Sequence, residues 1–193
     1  MQPARRRIPF AEYVEIEEGA NERHEWLDGT VFLMPGGTPR HAALAANVMA
    51  ALGARLRGRP CRAYSSDLRV RVPATGLATY PDVSVVCGRP EIDTADPKRK
   101  SVVNPTVLVE VLSPSTQDYD RDEKRLHYQQ IETACEIVLV AQDEPLVEVW
   151  RRRARPGGDL WVPAQCGPGE SVTLESIGCA LDVDELYADL PEA

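Results

Sequence analysis

The sequence predicts an α+β fold, and three stretches carry that expectation. Val107, Leu108, Val109, Val111 and Leu112 form a short, almost wholly apolar run, the pattern of a central strand covered on both faces. Leu44, Val48, Leu52 and Leu56 recur at helical spacing and make an apolar stripe. Glu25-Trp26-Leu27 and Val31-Phe32-Leu33 flank the dipeptide Asp28-Gly29, the signature of a hairpin closed by a type I′ turn.

Taken in order, Phe10, Tyr13, Val14 and Glu17 are spaced for a short amphipathic helix over Phe10 to Glu18, ended by Gly19. The hairpin follows, and Pro35-Gly36-Gly37 breaks its second strand. Thr38 is placed as an N-cap and Pro39 as the first helical residue of the long helix that bears the leucine stripe, which Gly58 and Pro60 end. Tyr64 to Val72 alternates as one strand, and the turn at Pro73 to Gly76 leads into a second, Tyr80 to Val86. Cys87 to Asn104 is rich in Pro, Asp and Lys with little periodicity and reads as a long surface loop. The apolar strand ends at Ser113-Pro114-Ser115-Thr116, where proline removes a ladder donor and hydroxyls favour turns. Asp120 with Glu123 opens the next helix as a capping-box-like pair, and Lys124, Tyr128 and Ile131 share one of its faces. Ile137 to Ala141 and Leu146 to Trp150 are strands around Asp143-Glu144-Pro145, Leu160 to Val162 continues that meander, and Val183 to Leu190 closes the chain as a short helix.

At 193 residues, 43% hydrophobic and 27% charged, the chain is expected to be one domain over 1–193 that needs no staples to hold its core. No apolar run reaches bilayer length. The amino terminus, MQPARRRIPF, has arginines but no apolar segment of signal-peptide length behind them, so a cytoplasmic location is expected. Five scattered cysteines, never in C-x-x-C spacing, argue for buried thiols rather than a disulfide framework or a zinc site. A net charge of -8 argues against strong non-specific DNA binding. A local basic stripe remains available from Arg55, Arg57, Arg59 and Arg62, from Lys98 to Lys100, or from Arg151 to Arg153.

Chemistry concentrates in Asp82 and Glu110, each an acid among apolar strand residues. A buried carboxylate is costly unless it is paired, hydrogen-bonded or bound to a cation. Two of them on adjacent strands suit one Mg²⁺ whose other ligands are water and substrate phosphate. The alternative is that Asp82 caps a turn after Pro81 and Glu110 pairs with an arginine. Lys124 shares a helix face with apolar residues; it either reaches back toward Glu110 or is a solvated helix lysine. Glu25, beside Trp26, is a further ligand, a partner for a cation, or structural. His41, in the first turn of the long helix, lies near the positive end of the dipole, which disfavours its charged form. A neutral His41 orients water or phosphate, or else sits at the surface. No histidine accompanies Ser113 or Ser115 at a nucleophile spacing, and His24 and His127 are isolated, so a zinc hydrolase is rejected.

Tyr80-Pro81-Asp82-Val83-Ser84-Val85-Val86, Pro105, Glu110-Val111-Leu112-Ser113-Pro114-Ser115-Thr116, Tyr119-Asp120 and Lys124 through Tyr128 resemble the restriction-endonuclease family of uncharacterised bacterial proteins assigned to the PD-(D/E)XK nuclease superfamily. The likeness also takes in Glu25, Asp28-Gly29, His41 and the late stretch EIVLVAQDEPLVEVWRR. The resemblance implies a restriction-endonuclease-like core, a mixed β-sheet flanked by helices, with hydrolysis of phosphodiester bonds in nucleic acid, DNA above RNA, dependent on Mg²⁺ or Mn²⁺. Carried over by residue, it makes Asp82, Glu110 and Lys124 catalytic, with Asp82, Glu110 and Val111 as the metal-holding positions and Glu25 and His41 as possible additions. One departure matters: the superfamily's lysine stands two residues after the acid on the same strand, where this chain has Leu112, so Lys124 would be a migrated substitute. The competing expectation is an inactive binding module that keeps the fold and retains the acids as structure. Nucleases that cut both strands commonly act as two-fold pairs, which implies a homodimer, with Leu146 to Val162 as its candidate surface.

Overall fold

A computed structural model describes residues 6–114 and 117–192. Ser115 and Thr116, at the end of the predicted turn, and the first five positions of the amino terminus lie outside the described residues. The chain runs α1 (Phe10–Glu18), β1 (His24–Leu27), β2 (Thr30–Leu33), α2 (Pro39–Arg55), β3 (Cys61–Ser65), β4 (Arg69–Val72), β5 (Leu77–Thr79), β6 (Val83–Cys87), β7 (Ser101–Val102), β8 (Val107–Leu112), α3 (Gln117–Tyr119), a π-helical turn (Asp120–Lys124), α4 (Arg125–Tyr128), β9 (Glu136–Ala141), β10 (Val147–Arg153), β11 (Leu160–Cys166), β12 (Ser171–Leu174), a 3-10 turn (Glu175–Ile177), β13 (Cys179–Asp182) and α5 (Val183–Leu186). This is an α+β fold with mixed sheets, as expected.

The central sheet has the order β11-β10-β9-β8-β6-β3. β8 and β9 are parallel and the other neighbours antiparallel. A parallel pair needs a crossover, and the helical segment 117–128 lies in the connection between them. All of β8 is buried, so its alternating side chains serve two cores. Val107, Val109 and Val111 pack with Leu44, Val48 and Leu52 of α2, while Leu108 and Leu112 pack with Tyr128, Ile131 and the β4–β5 residues Val70, Val72 and Leu77. By that period of two, Glu110 belongs to the second face.

Local signals explain several elements. Thr38 caps α2 by accepting from the His41 amide, with Pro39 as first helical residue. Asp28 and Gly29 both have positive φ, 43° and 92°, as a type I′ turn requires.

Other expectations are corrected. The single strand read over Tyr64 to Val72 is two, β3 in the central sheet and β4 in a second sheet of order β2-β1-β5-β4-β7, divided by a turn in which the Leu68 amide bonds the Ser65 carbonyl. The stretch from Cys87 to Asn104 is no loose surface loop. It contributes β7, paired parallel to β4, and buried Asp93, Asp96 and Ser101. Asp96 closes a turn by accepting from the Lys98, Lys100 and Ser101 amides and pairs with buried Arg69 at 3.1 Å. The β12–β13 hairpin had no sequence signal, and α5 ends at Leu186 rather than at Leu190. Cys61 and Cys87 face each other in register across β3 and β6 and form a disulfide, and Cys135, Cys166 and Cys179 are partly exposed, so none of the five is a buried free thiol. The sequence separation of 26 carried no hint of that pairing; the strand register creates it. Among the described residues no helix is long and apolar enough to cross a membrane.

Candidate active site

Antiparallel pairing aligns Val83 with Val109, so the residue before β6, Asp82, stands beside the β8 segment that holds Glu110 and Val111. The Val111 amide donates to Asp82 Oδ2 at 2.8 Å. His41 approaches the same oxygen from α2, its Nε2 3.4 Å away. Gly37 makes room for that imidazole: a Cβ there would lie 2.6 Å from His41 Nδ1. From the helical segment 117–128, Lys124 reaches the second face of β8, where Nζ lies 3.0 Å from Glu110, 3.0 Å from Glu25 and 3.5 Å from Asp120. The Tyr128 hydroxyl donates to Glu110 at 2.5 Å, and the Thr79 hydroxyl donates to Glu25. Glu25, His41, Asp82, Glu110, Asp120 and Lys124 line one cleft of about 710 Å³, with Val111, Tyr80, Tyr119 and the stretch 32–38 on its walls, and Tyr128 and Thr79 are fully buried behind it.

The electrostatics follow from burial among like charges. Burial pushes the Glu110 carboxyl up to about 8, against the opposing pull of Lys124, and Asp120 and Asp82 add to the rise. Burial acts the other way on Lys124, but Glu110, Tyr128, Glu25 and Asp120 together hold its ammonium well above the usual lysine range. Glu25 stays below the usual carboxylate range, because the Lys124 charge and the Thr79 hydroxyl outweigh its own burial. Hence Lys124 remains charged against Glu25, and Glu110 is the acid that takes up a proton when no further cation is present. His41 is raised, chiefly by its hydrogen bond to Asp82 and in spite of burial, with the Val111 backbone contributing. The direction is opposite to the one expected from the helix end: an adjacent carboxylate favours the charged form more than the dipole, whose effect is modest, disfavours it.

All the sequence-derived positions, Asp82, Glu110, Val111, Lys124, Glu25 and His41, thus lie on one cleft. Glu25 is the partner of a cationic group, one of the roles open to it. Two site residues escaped the sequence reading. Asp120 is not a helix-opening cap, because the helix begins at Gln117 and Asp120 is a buried acid in the π turn. Tyr128 was assigned only to the apolar face. The spacing of Asp120, Lys124 and Tyr128 was the available signal, since residues four apart stack on one helical face.

Among the described residues no three or more His, Cys, Asp and Glu side chains are grouped closely enough to hold a metal. Those residues therefore form no cage built wholly of side chains. Mg²⁺ does not need one: it keeps several waters and is commonly held by one or two carboxylates. The hard-oxygen donors Asp82 and Glu110, beside the Val111 backbone and short of positive charge, fit that ion.

Most residues of the expected basic stripes bond internal partners. Arg151 bonds the Thr173 carbonyl, Arg152 those of Gln129, Ile131 and Glu132, and Arg153 the Glu175 carboxylate. Arg55 pairs with Glu185, Arg59 bonds the Ile177 and Gly178 carbonyls, and Lys98 and Lys100 pair with Glu15 and Glu18.

Comparison with known proteins agrees with this architecture. The chain is 32% identical over 180 residues to an uncharacterised protein of Synechocystis sp., spanning 93% of this chain and 90% of that one. It is 30% identical over 135 residues to a second uncharacterised protein of the same organism, spanning 70% and 75% of the two chains. Its fold is similar to a crystal structure described as "a putative nuclease belonging to DUF820" from Anabaena variabilis, with a TM-score of 0.71 at 19% identity, covering 93% of this chain and 98% of that one. Residues 10–184 match the model of the Uma2 family, described as "Putative restriction endonuclease", and the chain belongs to that family.

Proposed function

We propose that the protein is a Mg²⁺- or Mn²⁺-dependent nuclease that hydrolyses phosphodiester bonds in DNA, acting in the cytoplasm. The observation that carries this reading is Lys124 Nζ at 3.0 Å from Glu110, on the same cleft as Asp82. A lysine displaced from the strand to the neighbouring helix arrives where the missing strand lysine would be useful, while Leu112 is buried in the apolar core at that end of β8.

In this mechanism Asp82 and Glu110, with Val111, would hold the ion, which would supply charge neutralisation and a water of lowered pKa. Tyr128 fixes Glu110 by donating to Oε1. Asp82 is fixed by the Val111 amide, so both carboxylates are oriented before substrate arrives. Lys124 donates to the attacking water or to the phosphate oxygen on which charge develops. Glu25 and Asp120 keep that ammonium charged and aimed. His41, at the capped first turn of α2 with Nε2 3.4 Å from Asp82, is a second side chain on the cleft able to orient water or phosphate.

The test pairs binding with turnover. Wild-type protein should gain thermal stability on titration with MgCl₂ or MnCl₂, by about 2.7 kcal/mol when metal is at a hundred times its dissociation constant, and should nick or degrade DNA only with metal present. Asp82→Asn should lose both responses and keep its fold. A protein that shows neither shift nor cleavage at millimolar metal is the inactive module instead.

A further inference from the structure

The cleft has a second component that the catalytic reading leaves unused. Phe32 and Leu33 are 49% and 55% exposed, and with Met34 they line the cleft that also holds Glu110 and Lys124. Phe32 pairs in register with Glu25 across β1 and β2. Directly opposed residues of an antiparallel pair project from the same face. The Phe32 ring therefore stands on the side of the hairpin from which Glu25 reaches Lys124.

Charge decides what such a surface suits. Duplex DNA is gripped by neutralising many phosphates, yet among the residues lining this cleft Lys124 is the one lysine or arginine, and it already faces carboxylates. The chain carries a net charge of -8, and Arg151, Arg152 and Arg153 bond internal partners. Affinity for a nucleic acid must then come from contacts that charge does not supply. Stacking of an unpaired base on an aromatic face is such a contact, tolerant of sequence and worth roughly 5- to 150-fold in affinity per base. A base inside a duplex keeps its faces covered by its neighbours and cannot use Phe32.

We propose that the cleft takes single-stranded DNA, with one unpaired base stacked on Phe32 and the adjoining phosphate directed toward Lys124 and Glu110. The inference rests on the nuclease reading and names its substrate as a single strand rather than a duplex.

Fluorescence anisotropy with a fluorescein-labelled oligodeoxynucleotide of about 20 nucleotides, single-stranded or annealed to its complement, tests this in EDTA, so that binding is read without cleavage. Wild type should bind the single strand at least about ten-fold more tightly than the duplex. Phe32→Ala should lose about ten-fold on the single strand with an unchanged melting temperature, and Phe32→Trp should restore it. Equal affinity for both forms, no binding of either, or a Phe32→Ala variant that binds like wild type overturns the proposal. The same samples are then given MnCl₂. Cleavage of the duplex with no effect of Phe32 refutes the single-strand inference and leaves the nuclease standing, whereas Phe32-dependent binding without cleavage refutes the nuclease and leaves the single-strand surface standing.

Discussion

Lys124 shows how much a single side chain balances. The residue is 4% exposed and its ammonium faces Glu25, Glu110 and Asp120, so its removal leaves buried negative charge without a partner. Breaking a buried pair by deleting one member typically costs about 3 to 5 kcal/mol. Lys124→Met should therefore lower the melting temperature markedly without metal, and bound Mg²⁺ should restore part of the loss. Cleavage should fall by about two to three orders of magnitude even in metal-saturated protein; turnover at wild-type rates would remove Lys124 from the mechanism. Asp96 permits a pH argument away from the cleft. Although burial opposes ionisation, the Ser101 side chain, the amides of Lys98 and Ser101 and the Arg69 guanidinium hold its carboxyl well below the usual range. The folded pKa lies below the unfolded one, so the stability it contributes is fully present above about pH 4 and is lost as pH falls toward the folded value. Acid titration followed by circular dichroism should show wild type losing stability more steeply below that pH than Asp96→Asn, which should already be destabilised at neutral pH.

The elements around the cleft have divided duties. β8 presents its odd-numbered residues to α2 and its even-numbered ones to the crossover helix, which is why one acid in an apolar strand can be a buried site residue without disturbing the core beneath α2. The crossover contains a π turn at Asp120–Lys124, a feature frequent at functional sites because the wider turn re-aims side chains. Here it carries Asp120 and Lys124, the two buried residues of that turn. Helix α2 carries His41 through its first turn, secured by the Thr38 cap, whose hydroxyl also donates to Gln142 at 3.0 Å. Thr38→Ala should cost about 1 kcal/mol of stability and weaken His41 alignment. Calorimetry measures the first effect. If the second is real, the histidine ring resonances of the variant will shift on Asp82→Asn less than those of wild type.

Across the molecule, β11 closes one edge of the central sheet, with Leu160 and Val162 of that strand 41% and 37% exposed. Exposed edges invite pairing with a second chain, and symmetric pairs are the commonest assemblies. The expected homodimer would form there. Light scattering should report twice the chain mass at micromolar concentration, and Val162→Lys should return it to the chain mass. A monomeric wild type would exclude the pairing.

Much of this was legible locally. The Asp28-Gly29 turn needs positive φ at both residues, and Thr38-Pro39 caps a helix through adjacent groups, so short-range chemistry was enough to place both. The apolar run of β8 exposed Glu110 as an anomaly because desolvation makes a lone acid expensive wherever the strand lies. What escaped depends on partners distant in sequence. β3 and β4 look like one strand because alternation reports exposure and not sheet membership, and only packing sends them to different sheets. The Cys61–Cys87 bond exists because the β3–β6 register brings those residues face to face. The direction of the His41 shift escaped for the same reason. Its local helix dipole is visible in the sequence, but the Asp82 carboxylate that overrides it arrives from a strand, and charges at contact distance outweigh a helix end. The sequence by itself determined the kinds of element and the acids that had to be explained; the tertiary structure decided which charges meet, because electrostatic energy depends on distance in space and on burial, neither of which a linear spacing contains.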